Sequence, residues 1–170
     1  MKIRYAELVL ALAVAGNSLF AVQERRLDQT DRLALYVMDC WIGVWHLNVA
    51  KSQFHPGPPL KSGKAQIDLY GEGVKCAWDS VSADGKALRA VWTAQYDGKD
   101  YPVAKDPNAD SIMLNKTDSH TLQVVHKREG KEILSEKWVV SRDRRELTIT
   151  RTERDFSGKT HMSVLVYRKQ

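Results

Sequence analysis

Glu136 is the acidic residue whose surroundings are hardest to explain. It falls on the same side of an extended segment as Leu134, Trp138 and Val140, and an ionised carboxylate on an apolar face is costly unless it is paired. Glu136 therefore faces a wet cavity or lies near an opening, which makes it the best candidate for a polar ligand contact. Arg89 and Arg151, on segments of similar alternation, are the cations grouped with it. Each of the three equally suits an ordinary solvated strand position.

Other chemistry is sparse. The histidines, His46, His55, His120, His126 and His161, form no H-E-x-x-H motif and no close pair. His46 and His161 would meet only if the first and last strands paired. Asp106, Asn108 and Asp110 begin like a calcium loop but lack its remaining ligands, the terminal Glu included, and fit an Asx-rich turn. No G-x-S-x-G elbow is present, and the other acidic residues fall at turns and on wet faces. No catalytic residue, metal or cofactor is assigned. Cys40 and Cys76 form either a disulfide or two buried free thiols. A bridge requires Cα atoms within about 7 Å, so the N-terminal segment would have to cross a barrel end.

Composition narrows the partners. The chain has 170 residues and a net charge of +5, which suggests one domain. Its cations are spread over many segments and interrupted by acids; Arg142, Arg144 and Arg145 cluster at a turn. No nucleic-acid partner is expected from such a distribution. At the N-terminus, Lys2 and Arg4 precede the apolar run LVLALAVA and then Gly16, Asn17 and Ser18. This is the pattern of a secretory signal, cleaved after Ala21. The run is shorter than the roughly 20 residues needed to cross a bilayer. The expected organisation is a signal peptide over 1–21, an extension with a short helix over 22–40, and a barrel over 41–170. The product would be secreted or periplasmic, free of stable membrane insertion, and a monomer or weak dimer.

The elements that position these side chains are strands. Gly71-Glu72-Gly73, Ala83-Asp84-Gly85-Lys86, Asp97-Gly98-Lys99, Glu129-Gly130-Lys131 and Ser157-Gly158-Lys159 read as hairpin turns. Pro56, Gly57, Pro58 and Pro59 mark an irregular loop. Ten strands are predicted, at 42–49, 64–70, 73–82, 86–96, 99–103, 111–116, 120–128, 131–141, 145–154 and 160–168. Alternation is clear in Leu88, Ala90, Trp92, Ala94 and Tyr96, opposed by Arg89, Thr93 and Gln95. In the last segment Val164 and Val166 oppose Ser163, yet Leu165 and Tyr167 are apolar too. So many strands without covering helices must hide their edges. An antiparallel up-and-down β-barrel of about 8–10 strands with a short N-terminal helix is the simplest solution, and a two-sheet sandwich the alternative.

Gly43-Val44-Trp45 at the head of this meander is the G-x-W entry signature of lipocalin-like barrels. With it stand Gly43 to Ser52, the Phe54 to Pro59 loop, Tyr96 to Val103, Asp106 to Asp110, and Val166-Tyr167-Arg168-Lys169. In these stretches the chain resembles a bacterial, exported lipocalin-like family of small barrels, largely without assigned functions. The T-D-Y motif of strict lipocalins is absent, which leaves the broader calycin-like class. The resemblance implies that Trp45 packs at the closed end under a cation from the last strands, Arg168 or Arg151. It also implies a small apolar or amphipathic ligand bound without catalysis. The candidate lining is Trp78, Trp92, Tyr96, Met113, Leu122, Trp138, Ile149 and Val164. These same residues would fill a solid core, so the sequence leaves open an interaction module acting through its rim loops, 51–63 and 104–111. A small isomerase or hydrolase is the third reading.

Overall fold

The computed structural model describes residues 39–104, 109–154 and 157–170. The expected signal peptide, the helix near Thr30, Asp106 and Asn108 lie outside the described residues. Cys40–Gln170 forms one compact unit, and the account below concerns that unit.

Ten antiparallel strands are described: β1 (Gly43–Leu47), β2 (Ser62–Tyr70), β3 (Gly73–Val81), β4 (Ala87–Gln95), β5 (Asp97–Pro102), β6 (Ser111–Lys116), β7 (Thr121–Arg128), β8 (Lys131–Val140), β9 (Glu146–Arg154) and β10 (Thr160–Lys169). They form one sheet in the order β4-β3-β2-β1-β10-β9-β8-β7-β6-β5. Every neighbour is consecutive in sequence except β1 and β10, which pair through Trp45↔Lys169, His46↔Arg168 and Leu47↔Tyr167. The outermost strands of that order, β4 and β5, approach each other without a hydrogen-bonded ladder among the described residues. The result is a nearly closed up-and-down barrel; the sandwich alternative would have divided the strands between two sheets. His46 and His161 do not meet: His46 faces Arg168, while His161 pairs with Glu153 at the other end of β10.

β1 is short, and residues 48–53 take over its place beside β10. Asn48 N–H donates to the Val166 carbonyl at 2.7 Å, and Gln53 exchanges bonds of 2.7 and 2.8 Å with Val164. The Val166 N–H donates to Ser52 Oγ at 3.0 Å. β10 is covered on both faces at its centre, which accounts for its unbroken apolar run. Leu165 and Tyr167 point inward, so Val164 and Val166 point outward. Val164 is therefore not a lining residue, and the inward phase of β10 belongs to its odd-numbered positions.

One end of the barrel is sealed by side chains. Trp45 is fully buried, and its indole N–H donates to the Trp41 carbonyl at 2.8 Å. The cation over its ring is Lys169, with Nζ 5.0 Å from the centroid. Neither Arg168, which is exposed, nor Arg151, which lies in the other half of the barrel, takes this place. Register decides the matter, because Lys169 is the residue directly opposite Trp45, and such a contact contributes roughly 0.5–2 kcal/mol. Gly43 adopts φ +137°, and a Cβ there would meet the Lys169 side chain. Residues 40–42 cross this end. The Cys40 thiol donates to the Ser119 carbonyl at 3.2 Å, and the Trp41 ring lies 6.2 Å from Tyr96 with Lys116 Nζ 5.0 Å from it. No disulfide joins Cys40 to Cys76, and both thiols are buried.

Above this seal the core is solid: Ile67, Val74, Ile112, Leu114, Leu122 and Leu147 are wholly inaccessible. Gly73 lets β3 approach β4 so closely that any Cβ would overlap the Ala94 carbonyl and Gln95 backbone. Because backbone is the obstacle, it cannot swing aside. Gly73→Ala is expected to lower stability by about 1–3 kcal/mol, in the range for overpacking, read from the urea midpoint at unchanged slope.

Candidate functional site

Four aromatic rings divide the barrel interior. Trp78 meets Trp138 edge-on at 5.4 Å and Tyr167 at 5.6 Å, and Trp92 lies 6.0 Å from Trp138. They come from β3, β4, β8 and β10, each on the inward phase of its strand. On one side of this layer lies the filled half. On the other a cavity of about 340 Å³ opens, walled by Trp78, Trp92, Leu88, Leu134 and Leu165 and reached by Leu60 and Ala109 from the loops. The interior is thus both filled and hollow, in separate halves.

One polar cluster faces this cavity. Register sets Glu136 of β8 directly opposite Arg151 of β9. Arg151 donates from Nε to Glu136 Oε1 at 2.8 Å, and its Nη2 lies 2.7 Å from the same oxygen. The Trp138 indole N–H donates to Oε2 at 2.8 Å. His126, one inward step along β7, places Nε2 3.8 Å from Oε2. Glu136 is only 3% exposed. Burial pushes its carboxyl pKa upward, but the Arg151 guanidinium, helped by His126 and Trp138, outweighs this and holds it at about 2, below the ordinary 4.5. Burial likewise opposes the charge on Arg151, and Glu136 more than compensates, raising its pKa. Burial drives the Tyr167 phenol upward, against a smaller opposing effect of Arg151. The Cys76 thiol is raised by burial and then by Glu136 and Asp68.

Among the residues singled out from sequence, Trp78, Trp92, Arg89, Glu136 and Arg151 line the cavity. Trp138 lies beneath it as part of the floor. Arg89 sits at the rim, largely exposed, with Nε 3.7 Å from Asp79. Tyr96 is elsewhere, packed with Trp41 at the sealed end. Leu122 and Ile149 belong to the filled half. Met113 is out of phase, because Ile112 and Leu114 are the buried residues of β6. Sequence reasoning missed His126 and Tyr167. For His126 the signal was present, since it shares the phase of Leu122 and Val124; for Tyr167 it was not, because β10 is apolar on both faces. Asp110 acts as a turn residue, its carboxylate accepting from Glu129 N–H at 2.6 Å and Ser111 Oγ at 3.0 Å.

No protein-family model matches the chain, and no curated protein is similar enough in sequence to count as a relative. In backbone fold the chain is similar to a Schistosoma mansoni fatty acid binding protein solved in complex with arachidonic acid. The two share 13% identity and a TM-score of 0.55, over 78% of this chain and 98% of that one. Two further structures are more distant. A zebrafish ileal bile acid-binding protein complexed with cholic acid gives 11% identity and a TM-score of 0.49, over 77% of this chain and 99% of the other. The siderocalin Ex-FABP, described as functioning through dual ligand specificities, gives 14% and 0.37, over 76% and 73%. The likeness is one of barrel fold alone.

Two outcomes follow from the buried pair. Arg151→Met strands an ionised carboxylate and is expected to cost about 3 kcal/mol, at the lower end for such losses because Arg151 is partly exposed. The double variant Glu136→Gln/Arg151→Met should recover most of that cost in denaturant unfolding. Glu136 titrates lower in the folded state than the ordinary 4.5, so its stabilisation is fully present above pH 4.5 and lost as pH falls toward 2. Over that window wild type should lose stability more steeply than Glu136→Gln.

Proposed function

We propose that the protein binds one small, largely apolar molecule in the open half of its barrel and does not transform it. The observation that carries this reading is the 340 Å³ cavity above the aromatic layer. Its size falls within the ordinary range for ligand sites, about 300–1,000 Å³, and apolar walls with a few convergent polar groups are the usual composition. A barrel of similar fold holds arachidonic acid. A core packed solid from end to end would have left only the rim loops for function.

Polar groups converge at the cavity, as an enzyme would require, but their electrostatics suit anchoring. A general base works best with a pKa near the operating pH. Glu136 is held at about 2, with both oxygens already accepting hydrogen bonds from Arg151 and Trp138. We further propose that the chain acts outside the cytoplasm as a secreted or periplasmic carrier, a reading that rests on Lys2, Arg4 and the apolar run after them.

Trp78 and Trp92 form the cavity wall and serve as reporters. Titration with an apolar fluorescent probe should change tryptophan emission saturably, at one site per chain by calorimetry. Ala90 lines the cavity directly opposite Trp78, so Ala90→Trp should fill it and weaken probe binding by at least about tenfold, about 1.4 kcal/mol, while the unfolding transition stays cooperative. Equal binding by wild type and Ala90→Trp would place the probe elsewhere and remove the support for a cavity ligand.

A further inference from the structure

The polar cluster contains its own counter-ion, and this determines what head group the cavity accepts. Among the described residues, the charges facing the interior are Glu136 and Arg151, which cancel. Arg89 and Asp79 neutralise each other at the rim, where both are exposed. An anionic head group entering the cavity would shed its water without gaining a net positive partner, and the Glu136 carboxylate would repel it at short range.

The cluster nevertheless has hydrogen-bonding capacity to spare. Glu136 engages the Nε and Nη2 atoms of Arg151 through one oxygen. A guanidinium carries five N–H donors, so others remain for a ligand in the wall that Arg151 helps to form. His126 Nε2 is a second such group. It is buried without a hydrogen-bond partner, and His126 lines the cavity. A buried polar atom left unsatisfied is destabilising, and a ligand bearing the complementary group would relieve it. The Tyr167 phenol, on the same wall, adds a third hydrogen-bonding group, itself neutral.

Building on the cavity-binding reading, we infer that the site selects an uncharged ligand with a hydrogen-bond acceptor at its polar end, such as an amide, ester, ketone or alcohol. It rejects the carboxylate borne on the same apolar chain, and Glu136 is the residue that sets this specificity. Removing the Glu136 charge while keeping its shape unmasks Arg151, and the preference is then lost. The alcohol carries no charge that Arg151 could pair with, so it serves as an internal control.

The test uses decanamide, decan-1-ol and decanoate, which share one apolar chain. Each is measured by displacement of an apolar fluorescent probe at pH 8, where decanoate is ionised and the amide and alcohol are uncharged. In wild type the amide and alcohol should bind at least about tenfold more tightly than the carboxylate, about 1.4 kcal/mol. In Glu136→Gln the carboxylate should gain by a similar factor while the alcohol changes little. Carboxylate binding to wild type as tight as that of the amide overturns the inference and leaves the cavity reading intact. So does a Glu136→Gln variant that folds, by its thermal transition, yet gains nothing for decanoate. If that variant does not fold, the wild-type ranking decides. Failure of all three compounds and of the probe itself to bind overturns the cavity reading, and this inference with it.

Discussion

Pairing of the first strand with the last is the constraint on which the remaining architecture rests. β1 and β10 share three paired positions, more than a hundred residues apart in the chain. They join a meander of β1 to β4 to a meander of β10 back to β5. Without this seam the sheet would be two open pieces with four exposed edges, an arrangement prone to wrong pairing. Its formation also carries the largest loop-closure cost in the fold. The hydrogen bonds of Asn48, Ser52 and Gln53 to β10 extend the seam beyond the end of β1. The Trp45–Lys169 contact lies directly upon it.

From this seam the two halves of the interior follow. At one end, Trp41, Trp45 and the segment crossing from Cys40 close the barrel, and β-branched and leucine side chains fill the space beneath. At the other end the inward positions carry smaller or polar residues: Ala90 and Ser80 on β4 and β3, His126 on β7, Glu136 on β8 and Arg151 on β9. The aromatic layer separates these regions because inward positions on β3, β4, β8 and β10 bear large rings, Trp78 meeting Trp138 and Tyr167 edge to face, a favoured arrangement, and Trp92 tilted against Trp138. Trp138 belongs to both regions. Its ring forms the floor, and its indole N–H holds the carboxylate above it.

The Glu136–Arg151 pair shows how a nearly neutral interior is assembled from charged residues. A buried ion pair is weak evidence for stability, since desolvation offsets most of the attraction. Under the cavity-binding proposal, its role lies in what it offers a ligand. The pair supplies directional hydrogen bonds without a net charge.

Strand number, hairpin order and barrel closure were legible in the sequence. Gly-containing turns at regular spacing dictate antiparallel neighbours, and a helix-free sheet of that size has few ways to hide its edges. All ten expected strands begin and end within two residues of those observed; the 3-10 turn at Val49–Lys51 cuts β1 short by two, and β2 and β5 each begin two residues early. Glu136 was legible as well, because a carboxylate among apolar positions announces a partner. What the sequence could not supply was phase and register. β10 is apolar on both faces, so alternation did not distinguish Leu165 from Val164, and on β6 it did not distinguish Met113 from its neighbours. The identity of the cation over Trp45 depended on a three-residue pairing between distant strands. The meeting of Glu136 with Arg151, His126 and Tyr167 depended on the registers of four strands at once. Local chemistry specifies each strand, whereas a site shared between strands exists only once the sheet has closed.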